Sequence, residues 1–135
     1  MKYLVDTSAL TRIIRRQAHA AWDDAVGHGL LSICEPVLAE RLLISPAKEY
    51  MATEDVLTSS LVPVTIPDRV WELSALIRRE LAQPSAHAGL SVADLVVAGT
   101  AIGLKLTVLH EDADFETIAR FVPELRERRI SAGPE

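Results

Sequence analysis

Lys2–Leu10 reads KYLVDTSAL, and its reading decides the fold. Tyr3, Leu4 and Val5 form a short apolar run, the pattern of a strand covered on both faces. Asp6 falls where that strand ends. Thr7 and Ser8 supply the hydroxyls of a helix start. An open α/β sheet presents its binding crevice at the carboxyl ends of its strands, so a carboxylate there is placed to hold a ligand. The same Asp6 also reads as an ordinary helix cap, and the stretch alone leaves both roles open.

Working outward, the chain has 135 residues, 49% hydrophobic and 24% charged, the composition of one globular domain, taken as residues 1–135. No apolar run reaches the roughly 18 residues of a membrane span, so no membrane partner is expected. Asp6 interrupts any signal-peptide layout. Cys34 is the single cysteine, which rules out an internal disulfide or a thiolate metal cage and makes the cytoplasm the expected compartment. A formal charge of −5 argues against a protein that coats nucleic acid by bulk charge, but leaves nucleic acid open as a substrate. Charge is segregated along the chain. Residues 12–16, RIIRR, carry three arginines, and Glu111–Glu116, EDADFE, carries four carboxylates.

After the first strand, Ser8 to about Gln17 has helical spacing, with Leu10, Ile13 and Ile14 as its apolar face. A second helix is predicted from about His19 to Val26, ended by Gly27 and Gly29. Leu30–Ile33 reads as an edge or near-edge strand. Pro36 then suits a helix start, followed by Val37, Leu38, Arg41, Leu42 and Ile44. Another helix is expected over about Ala47–Leu61, with Tyr50, Val56, Leu57 and Leu61 as a weaker stripe. Val62–Ile66 reads as a strand broken by Pro63. A helix opening at Pro67-Asp68 places Val70, Trp71, Leu73, Leu76, Ile77 and Leu81 toward the core, and Pro84 stops it. Ser91 followed by Asp94 has capping-box spacing for a helix to about Ile102, with Gly103 near its C-cap. Thr107–Leu109 is expected to complete the sheet, and Phe115–Phe121 to return as a helix. From Pro123 onward the chain reads as a charged, frayed tail. Alternating strands and helices predict a three-layer α/β/α domain with a short, mostly parallel sheet.

Four acids fall at matching places in this scheme. Asp6 ends the first strand, Glu40 lies in the helix after the second, Asp94 opens the helix after Gly89, and Asp112 follows the strand at Thr107, with Asp114 two residues on. In a parallel sheet these positions share one edge. Carboxylates drawn together repel one another unless a cation or protons compensate, and oxygen-only ligands favour magnesium or manganese. Taken singly, each acid also reads as a cap or a solvated helix residue. Other chemistries lack their residues. The four histidines form no HExxH or cysteine–histidine pattern, and there is no GxxxxGK[ST] loop and no GxSxG elbow. GTAIG at Gly99–Gly103 lies inside a helix, where small residues allow close packing.

LVDTSAL at Leu4–Leu10, Glu40 within EPVLAERL, SVADLVVAGTA at Ser91–Ala101 and VLHEDADFETIA at Val108–Ala119 together resemble the PIN-domain family, and more narrowly the toxins of bacterial VapBC toxin–antitoxin pairs. The resemblance runs from Lys2 to about Phe121. It implies an endoribonuclease dependent on Mg2+ or Mn2+, acting on structured RNA such as tRNA or rRNA. It matches the family's acids to Asp6, Glu40, Asp94 and Asp112 as catalytic and metal-holding residues, with Asp114 as a contributing neighbour. The hydroxyl after the first acid falls on Thr7 or Ser8, and Ser8 is the preferred hydrogen-bond donor. The resemblance also implies a homodimer and a complex with a cognate VapB-type antitoxin.

Arg12, Arg15 and Arg16 are the candidates for contact with the RNA backbone, with Arg78 and Arg79 behind them. Two rival readings stand beside this one. One is a metal-dependent nuclease or phosphatase acting on DNA or small phosphate esters. The other is a catalytically idle PIN-like module that binds a protein partner.

Overall fold

The computed structural model describes residues 1–135 as a five-stranded, all-parallel sheet flanked by seven helices. The strands are β1 (Tyr3–Val5), β2 (Leu31–Ile33), β3 (Val62–Pro63), β4 (Thr107–His110) and β5 (Arg126–Arg129), in the order β3-β2-β1-β4-β5. The helices are α1 (Thr7–Ile14), α2 (Ala21–Gly27), α3 (Glu35–Leu43), α4 (Tyr50–Ser60), α5 (Val70–Ala82), α6 (Val92–Leu104) and α7 (Ala113–Phe121). Every residue of β1, β2 and β4 is buried, as expected of strands covered on both faces. One group of helices joins α3 to α1 and α4, another joins α5 to α6 and α7, and α3 meets α6 where the groups converge.

The strand order sets the position of the site. From β1 the chain moves out to β2 and β3, then returns to lay β4 on the other side of β1. The winding direction therefore reverses between β1 and β4, where Val5 pairs with Leu109. At such a switch point the loops leaving the two strands diverge and open a crevice at their carboxyl ends.

The two helical faces are packed for different reasons. Around α6 the interior is made of small residues. A β-carbon on Gly99 would lie 3.3 Å from both the Ser74 hydroxyl and the Val70 carbonyl, and one on Gly103 would lie 3.0 Å from the Pro67 ring. These glycines let α6 approach α5 and the Pro67 turn closely. The aromatic anchor lies elsewhere: Trp22 of α2 packs edge-on against Tyr3 at 5.0 Å and donates Nε1–H to the Ile130 carbonyl at 2.7 Å.

That last contact corrects the expected tail. Arg126–Arg129 is a fifth strand, paired in parallel with all of β4, so Thr107–His110 does not complete the sheet. Ile130 is fully buried, and the Arg128 guanidinium donates to the Gly133 and Ala132 carbonyls. A run of arginines and glutamate conceals this strand because an edge strand needs only one neighbour, and its charged side chains block further pairing.

Other boundaries shift for local reasons. The Val62–Ile66 strand contracts to Val62–Pro63, because its partner β2 ends at Ile33 where Cys34 starts α3; the last bond between them is the Val64 N–H to the Ile33 carbonyl at 2.9 Å. Gly103 stays inside α6, and Lys105 takes the left-handed position at φ 58° instead. Ile44 lies beyond the end of α3 and is exposed, as are Ile14, Tyr50, Val56, Trp71 and Leu76. The stripes predicted on those helices are thus wider than the faces the core covers.

Candidate active site

Three of the four candidate acids are helix caps, and capping is what aims them. Asp6 is the N-cap of α1, and its Oδ1 accepts the Ala9 N–H at 2.9 Å. Asp94 is the third residue of a complete capping box: Ser91 Oγ accepts the Asp94 N–H at 3.0 Å, and Asp94 Oδ2 accepts the Ser91 N–H at 3.4 Å. Asp112 is the N-cap of α7, with Oδ1 accepting the Asp114 N–H at 2.9 Å. In Asp94 and Asp112 the cap occupies one carboxylate oxygen and leaves the other available. The positive ends of three helix dipoles also offset part of the repulsion among the acids.

Asp6, Glu40, Asp94 and Asp112 line one open cleft of about 310 Å³, together with Thr7, Ser8, Thr11 and Ser91. Glu40 is exposed at its rim, where Oε2 accepts the Thr7 hydroxyl at 2.6 Å. Asp114 stands to one side of this cleft. Carboxylate oxygens of Asp94, Asp112 and Asp114 lie within 4.8 Å of one another, so Asp94 and Asp112 belong to both groupings.

Ser8 joins the two strand ends across the switch point. Its hydroxyl lies 2.7 and 2.9 Å from the two oxygens of Asp6 and accepts the Glu111 N–H at 2.8 Å. The Asp6 N–H in turn donates to the Leu109 carbonyl at 3.0 Å.

The other supports arrive through β5, outside the reach of sequence reading. His110 is fully buried, and its Nδ1 accepts the Asp112 N–H at 3.0 Å. Nδ1 therefore carries no proton, and Nε2–H donates to Glu127 Oε1 at 2.8 Å. Arg129 bridges Glu111 at 3.0 Å and Glu116 at 2.6 Å, while the Ser131 N–H and hydroxyl both donate to Glu111. No sequence motif announces these partners, because the register of β4 with β5 creates them.

Burial and mutual charge make the acids reluctant to ionise together. Burial pushes the Asp6 carboxyl up to about 6, against the opposing hydrogen bonds from Ala9 and Ser8 and with Asp112 adding repulsion. Asp94 is raised by burial and then by Asp112 and Asp114, and Asp114 by burial and Asp112. Glu111 moves the other way: burial opposes its ionisation, but the Ser131 and Arg129 hydrogen bonds outweigh it. An oxygen-only donor set, crowded and partly desolvated, fits a hard divalent cation and offers no soft ligand.

The three arginines of the RIIRR tract diverge. Arg12 lies near enough to Glu111 to favour its charged form. Arg15 borders a second cavity with Arg41, and Arg16 faces a third with Trp22 and Ala20. Neither Arg15 nor Arg16 lines the acidic cleft.

Comparison with known proteins converges on one family. Residues 3–121 match the PIN domain. The chain is 35% identical over 98 residues to Ribonuclease VapC6 of Mycobacterium tuberculosis, an alignment covering 72% of this chain and 77% of that protein. It is 30% identical to Ribonuclease VapC2 of the same species over 98% of this chain and 96% of the relative. Among solved structures, a chain of the DNA-bound VapBC complex from Salmonella typhimurium superposes with a TM-score of 0.78 at 20% identity, covering 96% of this chain and 98% of that one. A chain of VapBC2 from Rickettsia felis, bound to a promoter fragment, gives 0.75 at 20% identity, covering 96% and 98%.

Proposed function

The chain belongs to the PIN-domain family, and from that premise we propose that it is a divalent-metal-dependent endoribonuclease, the toxin of a type II toxin–antitoxin pair. The observation that carries this reading is the convergence of Asp6, Glu40, Asp94 and Asp112 on one cleft at the switch point of the sheet.

Asp6, Asp94 and Asp112 would hold Mg2+ or Mn2+, with Glu40 and Asp114 contributing at the margins. Such an ion activates a water and neutralises charge developing on the scissile phosphate. The chain's own residues supply the positioning. Ser8 fixes the Asp6 carboxylate, Ser91 orients Asp94, and His110 holds the backbone at Asp112. Glu40, tethered by Thr7 at the rim, is placed to accept a hydrogen bond from water or from a ribose hydroxyl of the substrate. With a net charge of −5, bulk attraction to RNA is weak, so selection rests on an RNA shape that fits the cleft. A structured loop of tRNA or rRNA has that character.

The partner is a VapB-type antitoxin that covers the acidic cleft, and the toxin itself pairs as a homodimer, with the exposed Trp71 and Leu76 of α5 as available apolar surface. No helix of the chain is long and apolar enough to cross a membrane, and a toxin that cuts cellular RNA would act in the cytoplasm.

The deciding experiment incubates total RNA with the purified chain and with Asp94→Ala, in magnesium or with a chelator, and maps new ends by sequencing. Site-limited cuts that require both the ion and Asp94 are expected, with activity in D94A reduced by about 10³-fold. Cleavage that persists in D94A would overturn the assignment. Hydrolysis of DNA or a small phosphate ester without RNA cleavage would replace it with the broader phosphodiesterase reading, and binding of a partner with no hydrolysis would replace it with an idle module.

A further inference from the structure

We infer that the cleft between α1 and α3, walled by Thr11, Arg15 and Arg41, is a track for the RNA backbone that leads away from the acidic mouth. The inference rests on the ribonuclease reading and adds where the substrate lies beyond the scissile phosphate.

Thr7 and Thr11 lie one turn apart on α1, and Arg15, four residues further on, is its C-cap. The Thr11 hydroxyl donates back to the Thr7 carbonyl at 2.9 Å. The rise from Thr7 to Arg15 is about 12 Å at the helical repeat. Thr11 lines both the acidic cleft and a second cavity of about 210 Å³ that holds Arg15, Arg41, Ile44 and Pro46, so the two spaces adjoin at this residue. On α3, Glu40 turns to the mouth while Arg41 turns to the second cavity. The sign of the wall thus changes within one residue on α3 and one helical turn on α1.

Two features make this a phosphate site rather than a solvated face. Neither Arg15 nor Arg41 has a carboxylate within ion-pair distance, unlike Arg69 and Arg129. Arg41 is also held in place, donating NH1–H to Ser45 Oγ at 2.7 Å, so less side-chain entropy is lost when it meets a ligand. Two unpaired guanidiniums beside an acidic mouth offset the repulsion that a polyanion meets there, and guanidinium suits phosphate geometry. The remaining lining, Ile14, Ile44 and Pro46, is apolar and uncharged, fit to lie against sugar faces.

The test uses an RNA oligonucleotide spanning a cut site mapped with the wild-type chain. The doubly substituted Arg15→Ala/Arg41→Ala chain is expected to raise KM about tenfold or more with kcat little changed, and to flatten the dependence of log(kcat/KM) on log salt by about 1.4, the release expected for two lost single-strand phosphate contacts. Arg15→Lys/Arg41→Lys should restore most of the salt slope. Arg126→Ala, at the start of β5 and away from the carboxyl edge that holds the site, should match wild type. Thermal melts confirm that each variant folds. Unchanged KM and salt slope in the double alanine variant would overturn the inference while leaving the nuclease assignment intact. So would a double variant that handles RNA normally but loses affinity for a co-expressed partner protein, which would assign the cleft to protein contact. A wild-type chain that cuts no RNA removes the ribonuclease reading, and this inference with it.

Discussion

The β1–α1 and β4–α7 junctions perform the same task with different materials. Each ends a buried strand with an aspartate that caps the next helix, Asp6 in one and Asp112 in the other, and the strands lie side by side. At the first junction the supports are local: Ser8 and Ala9 lie two and three residues beyond Asp6. At the second the direct supports, the Asp114 N–H and His110 Nδ1, are local too, but they are backed from a distance by Glu127, Arg129 and Ser131. The consequence is electrostatic. Asp6 is almost fully buried, with its carboxyl pushed up to about 6, while Asp112 remains half-buried at the mouth of the cleft. One junction is a dry anchor braced by its own helix start, and the other is an open carboxylate whose outer braces come from the C-terminal strand.

The largest expected effect treats the two junctions alike. Asp6→Asn and Asp112→Asn should each reduce RNA cleavage by about 10³-fold, since each removes a charge the divalent ion would need. Steady-state cleavage of a mapped oligonucleotide measures this. A variant at either position that retains a tenth of wild-type activity would show that only one junction serves the ion.

Stability without metal should separate them. The folded-state value of Asp6 lies above the unfolded 3.8, so between about pH 4 and 6 the folded chain holds more protons than the unfolded one. The contribution of Asp6 to metal-free stability therefore falls as pH rises through that window. Asp6→Asn removes the penalty while keeping a side-chain acceptor for the cap, and it should raise metal-free stability at pH 7.5 by up to about 3 kcal/mol. Denaturant melts at pH 4 and 7.5 measure it: the gain should be near zero at the lower pH and full at the higher. Equal stability of D6N and wild type at pH 7.5 would show that Asp6 is not desolvated as its burial indicates.

Next in size is the histidine behind Asp112. Asparagine can place an acceptor near the position of His110 Nδ1, whereas glutamine can place its amide near Nε2. His110→Gln should therefore lose the bond to the Asp112 N–H and reduce kcat about 10- to 100-fold, the range for supports of metal-holding residues. His110→Asn should retain more activity at equal or lower stability, because the bond to Glu127 is the one it loses. If the two variants rank by melting temperature alone, His110 fills space and does not position Asp112.

The same contrast explains what was legible in the sequence. The V-D-T-S run of the first junction carries its own partners, so strand end, cap and Ser8 hydroxyl were all readable. Ser91 and Asp94 were readable for the same reason, and their capping role proves compatible with the site because the cap engages one carboxylate oxygen. Glu40 is singled out by its place after the second strand, whereas its tether to Thr7 crosses 33 residues and has no sequence signal. His110 falls just past the expected strand Thr107–Leu109 and Arg126–Arg129 reads as part of a tail, because hydrophobic periodicity is silent on a charged edge strand. Exposed Trp71 and Ile44 misled in the opposite direction, since an apolar residue at helical spacing does not specify what covers it.

The smallest expected effects lie in the outer support of the second junction, where Arg129 grips two glutamates. Glu111 is largely enclosed and accepts from Arg129, the Ser131 N–H and the Ser131 hydroxyl. Glu111→Gln leaves one acceptor oxygen for these three donors and should cost about 1 kcal/mol. Because Glu111 directly precedes Asp112, a modest fall in kcat should accompany that loss. Glu116 makes its short contact to Arg129 at the exposed surface, where solvent and salt screen the pair. Its carboxyl is held below the ordinary range chiefly by the Arg129 hydrogen bond, so discharging it takes a lower pH than a free glutamate requires. Glu116→Gln should leave both the melting temperature and kcat unchanged at physiological ionic strength. Thermal melts of the two variants at low and high salt would settle the division. If Glu116→Gln destabilises as much as Glu111→Gln, the whole Arg129 network acts as a unit, and the open junction is braced from the surface as firmly as from within.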